Sequence, residues 1–214
     1  MREFVDVPQV FDGEKPVFIL GGGASMDGFD WSSLPPEQCI ALNKAHRFCK
    51  TAAIFFFGDH KYYEREKAPH GGQDFWQFEG EHLLTTADVD VHEKSRLRHI
   101  ATKKSKFSTD AAYIAQPGKQ PLNTGWQAVN LAYLAGARKI ILLGYDCVPG
   151  QYGHGFSWAH PSTPGDAVYE RYIKEFDDLA KSIKSKKIKL EIVNANPDSA
   201  LECWPKCTLE EALA

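Results

Sequence analysis

The sequence predicts an α/β protein, a mostly parallel β-sheet flanked by helices with an irregular lid or insertion region. Three observations carry this expectation. Most of the apolar residues that read as strands form short continuous runs rather than alternating ones, the pattern of strands buried on both faces of a parallel sheet. Each run ends in small or polar residues. Helical periodicity lies between the later runs, and one helix leads almost directly into a strand, as in half of a βαβ unit.

The elements can be taken in chain order. Val17-Phe18-Ile19-Leu20 predicts the first strand and runs into Gly21-Gly22-Gly23-Ala24-Ser25. Cys39-Ile40-Ala41-Leu42 predicts the second, ending at Asn43, and Ala53-Ile54-Phe55-Phe56-Phe57 the third, ending at Gly58-Asp59. Residues 60–120 show few periodicities and hold His60, Trp76, His82, His92 and His99, so they read as an insertion or lid beside the strand ends. From Glu93 to Lys106, the six basic residues Lys94, Arg96, Arg98, Lys103, Lys104 and Lys106 stand against one acid, Glu93. Such a stretch is either a solvated loop or a contact to phosphates of a ligand or nucleic acid.

Residues 125–135 predict a helix with Trp126, Val129, Ala132 and Tyr133 on one face and Gly136 as a left-handed cap. Ile140-Ile141-Leu142-Leu143 follows as a strand and ends at Gly144-Tyr145-Asp146. Tyr169, Tyr172, Ile173, Phe176, Leu179, Ala180 and Ile183 form the cleanest helical stripe. Thr163, Pro164 and Asp166 suit the N-cap, first and third positions of that helix. Leu190-Glu191-Ile192-Val193 predicts the last strand, ending at Asn194, and Thr208-Leu209-Glu210-Glu211 a capping box that opens a short terminal helix.

At 214 residues the chain fits a single domain, 1–214, with the insertion at about 60–120, and it can bury a full core without disulfides. The net charge of −3 argues against a nucleic-acid coat or a membrane-surface protein. No apolar run approaches the roughly 20 residues that span a bilayer. Met1-Arg2-Glu3-Phe4-Val5-Asp6 carries acids where a signal peptide is basic and then apolar, so a cytoplasmic location is expected. Five cysteines at irregular spacing make a poor disulfide framework and read as free thiols.

In a parallel sheet, ligands bind outside the carboxyl ends of the strands. Those ends carry residues 21–25, Asn43, Asp59, Asp146 and Asn194. The glycine triplet lets a backbone approach an anion, and Ser25 adds a hydroxyl. It is neither a dinucleotide fingerprint, since Met26 stands where the third glycine would be, nor a Walker loop. Asn123-Thr124-Gly125 opens a helix, where a cap and an anion site can share the first N–H groups. His154 and His160 lie in a loop that follows Asp146, and a loop histidine suits a general base near neutral pH.

In order and spacing these pieces resemble the hydroxymethylpterin diphosphokinase-like (MptE-like) family, in particular its short phage and prophage members. They also resemble the bacterial lipooligosaccharide sialyltransferases, which share a Rossmann-like core. The matching residues are Leu20-Gly21-Gly22-Gly23-Ala24-Ser25, Ala41-Leu42-Asn43-Lys44-Ala45, Phe57-Gly58-Asp59, Asn123-Thr124-Gly125, Leu142-Leu143-Gly144-Tyr145-Asp146, His160-Pro161 and Val193-Asn194-Ala195. Pro121, Val148 and Gly22 depart from the sialyltransferase pattern, which has arginine, tyrosine and asparagine there.

The resemblance implies a nucleotide-dependent transferase. Gly21, Gly22, Gly23, Ser25, Asn43, Asn123, Thr124 and Gly125 would hold the nucleotide donor, and His160 would take the proton of an acceptor hydroxyl. Asp59 and Asp146 would bind ribose, acceptor or Mg²⁺. Glycosyl transfer from a nucleotide sugar is the leading chemistry. A Mg²⁺-dependent diphosphokinase using ATP, and a non-catalytic nucleotide- or host-factor-binding phage protein, are the alternatives. The expected partners are a small-molecule donor and a hydroxyl acceptor, with no nucleic acid or membrane, and with a homo-oligomer left open. A phage-encoded chain would act in the host cytoplasm.

Overall fold

The computed structural model describes residues 3–66, 77–89, 96–116, 123–148 and 166–214. Its main sheet contains β1 (Val17–Leu20), β2 (Cys39–Leu42), β3 (Ile54–Phe57), β4 (His82–Thr85), β5 (Leu97–His99), β8 (Lys139–Leu143) and β9 (Glu191–Asn194). Between β5 and β8 in the chain, β6 (Ala101–Lys104) and β7 (Tyr113–Gln116) pair as a separate two-stranded sheet. The order in the main sheet is β5-β4-β3-β2-β1-β8-β9, and every pairing is parallel. The helices are α1 (His60–Glu66), α2 (Thr124–Leu134), α3 (Asp166–Ser185) and α4 (Leu209–Leu213).

The continuous apolar runs are explained by burial on both faces. Val17, Ile19, Ile40, Leu42, Ile54, Phe56, Ile140 and Leu142 point to one core, shared with α2 and α3. Phe18, Leu20, Cys39, Ala41, Phe55, Phe57, Ile141 and Leu143 point to the other, shared with Met26, Leu34, Tyr62 and Tyr63. Successive side chains of a strand alternate faces, so a strand covered on both sides must be apolar throughout. Helix α2 is covered nearly all round, with Trp126, Gln127, Ala128, Val129, Asn130, Leu131 and Ala132 all inaccessible to solvent. The one-sided face expected for α2 is therefore corrected: it lies between sheet and outer elements, so its apolar residues need no single stripe.

Residues 60–120 carry more regular structure than their few periodicities suggest. They contribute α1, and β4 and β5 extend the main sheet. These strands are only four and three residues long, and Arg98 and the histidines at their ends interrupt the apolar pattern from which strands are read. The basic residues divide among different places. Arg96 donates to the Phe78, Gly80 and Glu81 carbonyls, Lys106 pairs with Asp178 at 3.2 Å, and Lys103 lies over the Tyr113 ring. Among the described residues no helix is long and apolar enough to cross a membrane.

The predicted cap of α2 closes against the N-terminal segment. The Val10 and Phe11 N–H groups both donate to the Ala135 carbonyl, at 2.9 and 2.8 Å. Gly136 has φ +108°, and a β-carbon there would stand 2.0 Å from the Phe11 carbonyl oxygen. Gly136→Ala is therefore expected to destabilise the fold by about 1–3 kcal/mol, combining left-handed strain with displacement of the N-terminal strap. A urea titration checks this, and an unchanged midpoint would contradict it.

Candidate active site

The chain runs outward from β1 through β2, β3, β4 and β5, then returns to place β8 on the other side of β1. The sheet therefore has its topological switch point between β1 and β8, where α/β sheets bind ligands. A cavity of about 200 Å³ opens there. The turns after the two strands meet backbone to backbone. Gly21 N–H donates to the Leu143 carbonyl at 2.7 Å, and Gly23 N–H to the Gly144 carbonyl at 2.9 Å. A β-carbon at Gly21 would lie 2.7 Å from the Gly144 oxygen, so the close approach requires glycine.

Asp146 secures this junction. Its carboxylate accepts from the Ser25 N–H at 2.9 Å, the Ser25 hydroxyl at 2.5 Å and the Asn196 amide at 2.8 Å. A β-carbon at Gly23 would overlap this carboxylate at 2.4 Å. Asp146 lines the cavity and is buried, yet its oxygens are turned to the glycine turn and to the segment after β9. Its geometry is that of a positioning residue. Cys147, next in the chain, has φ +52° and also lines the cavity, and burial pushes its thiol up to about 12.

Gly21, Gly22, Gly23, Asn43, Asn123, Gly125 and Asp146 are brought together around the cavity. Asn43 ends β2 with φ +49°, a conformation uncommon outside glycine but tolerated by asparagine. Its Oδ1 is buried without a hydrogen-bond partner. A buried acceptor left unmatched costs about 1–3 kcal/mol, and this one belongs to a residue that lines the cavity. Asn123 caps α2 by accepting from Trp126 N–H at 3.0 Å and donates weakly to Glu175 at 3.4 Å. The first N–H groups of α2 have no intrahelical carbonyl.

Three expected residues stand just outside this lining. Ser25 is tied to Asp146. Thr124 is buried beside Gly58, where an added β-carbon would come within 3.4 Å of its hydroxyl and 2.4 Å of Gln127 Oε1. Asp59 accepts from Lys61 N–H at 2.8 Å, which makes it the start of α1. His160 lies outside the described residues, as do His154, Pro121, Thr163 and Pro164.

The sequence reading missed the wall opposite the glycine turn. Tyr169, Tyr172 and Phe176 of α3 line the cavity, as do Tyr145 and Lys44. The α3 residues belong to the stripe already recognised as helical, and nothing in periodicity separates a stripe that lines a pocket from one that fills a core. Tyr145 donates to the Gly125 carbonyl at 3.1 Å and packs edge-on against Phe176. Burial raises the Tyr172 phenol above its ordinary range, with Glu175 and Asp59 adding to the effect and Arg171 opposing it. Burial likewise raises the Glu175 carboxyl, against the lowering influence of Arg171 and Asn123. Among the described residues no three histidine, cysteine or acidic side chains gather as metal ligands.

Comparison with protein-family models gives no match, and comparison with curated proteins gives none either. Solved structures do match in fold. The sialyltransferase CstII from Campylobacter jejuni, in complex with the substrate analogue cytidine-5'-monophosphate, superposes with a TM-score of 0.51 at 15% identity, over 92% of this chain and 86% of that one. A tyrosine-to-phenylalanine variant of the sialyltransferase CST-II in complex with CMP gives 0.50 at 14% identity, over 89% and 85%. The fold of this chain is thus similar to that of these sialyltransferases.

Two outcomes are expected. Asp146→Ala leaves three donors without their acceptor and should lower stability by about 2–3 kcal/mol, against about 1 kcal/mol for Ser25→Ala, in denaturant titrations. For Glu175, a folded-state pKa above the unfolded one contributes stability at low pH that is lost as pH rises through the folded value. Glu175→Gln should therefore gain on the wild type as pH rises through the carboxylate range. A stability difference independent of pH would contradict this.

Proposed function

We propose that the protein is a nucleotide-dependent transferase that moves a glycosyl group from a nucleotide-sugar donor to an acceptor hydroxyl. The observation that carries the reading is the switch-point cavity, with its glycine-lined floor and the unmatched Oδ1 of Asn43. The fold shared with sialyltransferases that hold CMP supports it. The nucleotide would lie across residues 21–25 and Asn43, with Asn123, Thr124 and Gly125 at the phosphates. There the start of α2 offers N–H groups and a positive dipole end to the charge that develops on the leaving phosphate. His160 would remove the acceptor proton as the new glycosidic bond forms. Asp146 would act by holding the glycine turn in place, and Asp59 by fixing the start of α1.

Pyrophosphate transfer from ATP is less well supported. It would require Asp59 and Asp146 to share a Mg²⁺, whereas the Asp146 carboxylate already accepts three hydrogen bonds and Asp59 accepts one from the α1 backbone.

The test is a melting-temperature screen with CMP, CMP-sialic acid, UDP-glucose, CTP, ATP and GTP, each with and without Mg²⁺. A ligand that binds only the folded state raises Tm in proportion to the logarithm of its concentration over Kd. A rise with a pyrimidine nucleotide or sugar donor, independent of Mg²⁺, is expected, and Asn43→Ala should reduce it. A rise only with ATP or GTP and Mg²⁺ would turn the reading to diphosphate transfer. Donor turnover retained in His160→Ala would remove the proposed base.

A further inference from the structure

We infer that the C-terminal end of α3 is a docking surface for an acidic segment of a partner protein that carries a large apolar side chain. A groove of about 530 Å³ lies there, between the second half of α3 and the chain that leads into β9. Its lining is mostly apolar: Ile183, Ile192 and Trp204 are buried, and Ile188 and Leu190 are half-buried. Among the described residues none lines both this groove and the switch-point cavity. Lys181 and Lys184 also line the groove, and residues 181–189 hold five lysines and no acid, in a chain whose net charge is −3. All five are exposed. Lys186 donates to the Phe107 carbonyl at 2.7 Å. The side chains of Lys181, Lys184, Lys187 and Lys189 make no hydrogen bond or ion pair among the described residues.

The way α3 ends sets these lysines apart from ordinary helix-end charges. Lys187 N–H donates to the Lys184 carbonyl at 3.0 Å and Ile188 N–H to the Ile183 carbonyl at 3.1 Å. A helix closed by this pair of bonds turns through one left-handed residue, and glycine is its usual occupant. Here that residue is Lys187, with φ +53°. A lysine is strained in this conformation where glycine is not, so the charge stands at a position where it does not serve the fold. Attraction to the helix dipole accounts for Lys184 in the last turn, but not for Lys187 or for Lys189 beyond it. The same two bonds bring Ile188 to Ile183, and both line the groove. One turn therefore builds the apolar and the basic parts of the surface together.

The shape selects the partner. A bilayer takes up apolar side chains that protrude, whereas Ile183, Ile192 and Trp204 are recessed. A nucleic-acid backbone would engage the lysines and leave the apolar lining without a counterpart. A protein segment with acids flanking a leucine, phenylalanine or tryptophan meets both parts, the apolar side chain in the groove and the carboxylates among the lysines.

The experiment selects binders of the intact chain from a phage-displayed library of random linear peptides. The enriched peptides are then synthesised with a fluorescein label, and their Kd is measured by fluorescence polarisation. They should carry several aspartates or glutamates around a large apolar residue. Their binding should weaken about tenfold in the double variant Lys184→Glu/Lys187→Glu, weaken at raised salt, and disappear when the apolar residue of the peptide is replaced by serine. Lys187→Gly should weaken the peptide about threefold to fivefold while raising Tm by about 2 °C, a pair of opposite effects that a purely structural lysine would not give. Melting curves confirm that the variants are folded. Enrichment of peptides without acids, unchanged affinity in the folded double variant, or serine peptides that bind as well as their parents overturns the proposal. So does binding of phosphatidylglycerol vesicles or of oligothymidylate that is tighter than any peptide and lost in the double variant, since a membrane or a nucleic acid would then be the occupant.

Discussion

Two turns that follow parallel neighbouring strands can meet only if neither carries a side chain at the point of contact. In this molecule the turns after β1 and β8 meet there, through Gly21 against the Gly144 carbonyl and Gly144 against the Gly23 backbone. The rest of the site depends on that contact. It brings the glycine turn under the ends of β1 and β8, lets Asp146 bind Ser25, and joins both to Asn196 after β9. A single carboxylate thus ties together three loops that come from distant parts of the chain. The opening it leaves is walled by Asn43 on one side and by the start of α2 on the other.

The two cores keep this edge rigid for the same reason. Each strand sends alternate side chains to opposite faces, and both faces are covered, so the strand ends cannot shift without disturbing packing on two sides. Some polar groups in the core tie elements together. Asn130 accepts from the N–H groups of Ser108 and Ala115 and donates to the Ser108 carbonyl, which ties the β6–β7 region to α2. Trp126 donates to the Glu175 carbonyl and ties α2 to α3. The unmatched Oδ1 of Asn43 belongs to a residue that lines the cavity.

Much of this was legible in the residues. Five strands and the helices 124–134, 166–185 and 209–213 follow from continuous apolar runs, a helical stripe and a capping box. The capping box is present as expected, with Thr208 and Glu211 bonding each other's backbone. β4 and β5 were not legible, because a three- or four-residue strand broken by charge gives too few positions for a pattern to stand above chance. The aromatic wall was seen but not understood. Tyr169, Tyr172 and Phe176 have the spacing of a buried face, and the residue type that fills a core is the same type that lines a ligand pocket.

The sequence by itself determined what local chemistry can encode: strands apolar on both faces, glycines where no side chain fits, caps at helix starts, and polar residues at every strand end. Parallel pairing then places all those ends on one edge. Only the tertiary structure decided which of them share a cavity. The strand order put β8 beside β1, so residues 21–23 and 144–146 converge while Asp59, two strands farther out, is drawn to the start of α1. Which neighbour a strand takes is settled by packing between residues far apart in the chain, and no window of the sequence contains both partners.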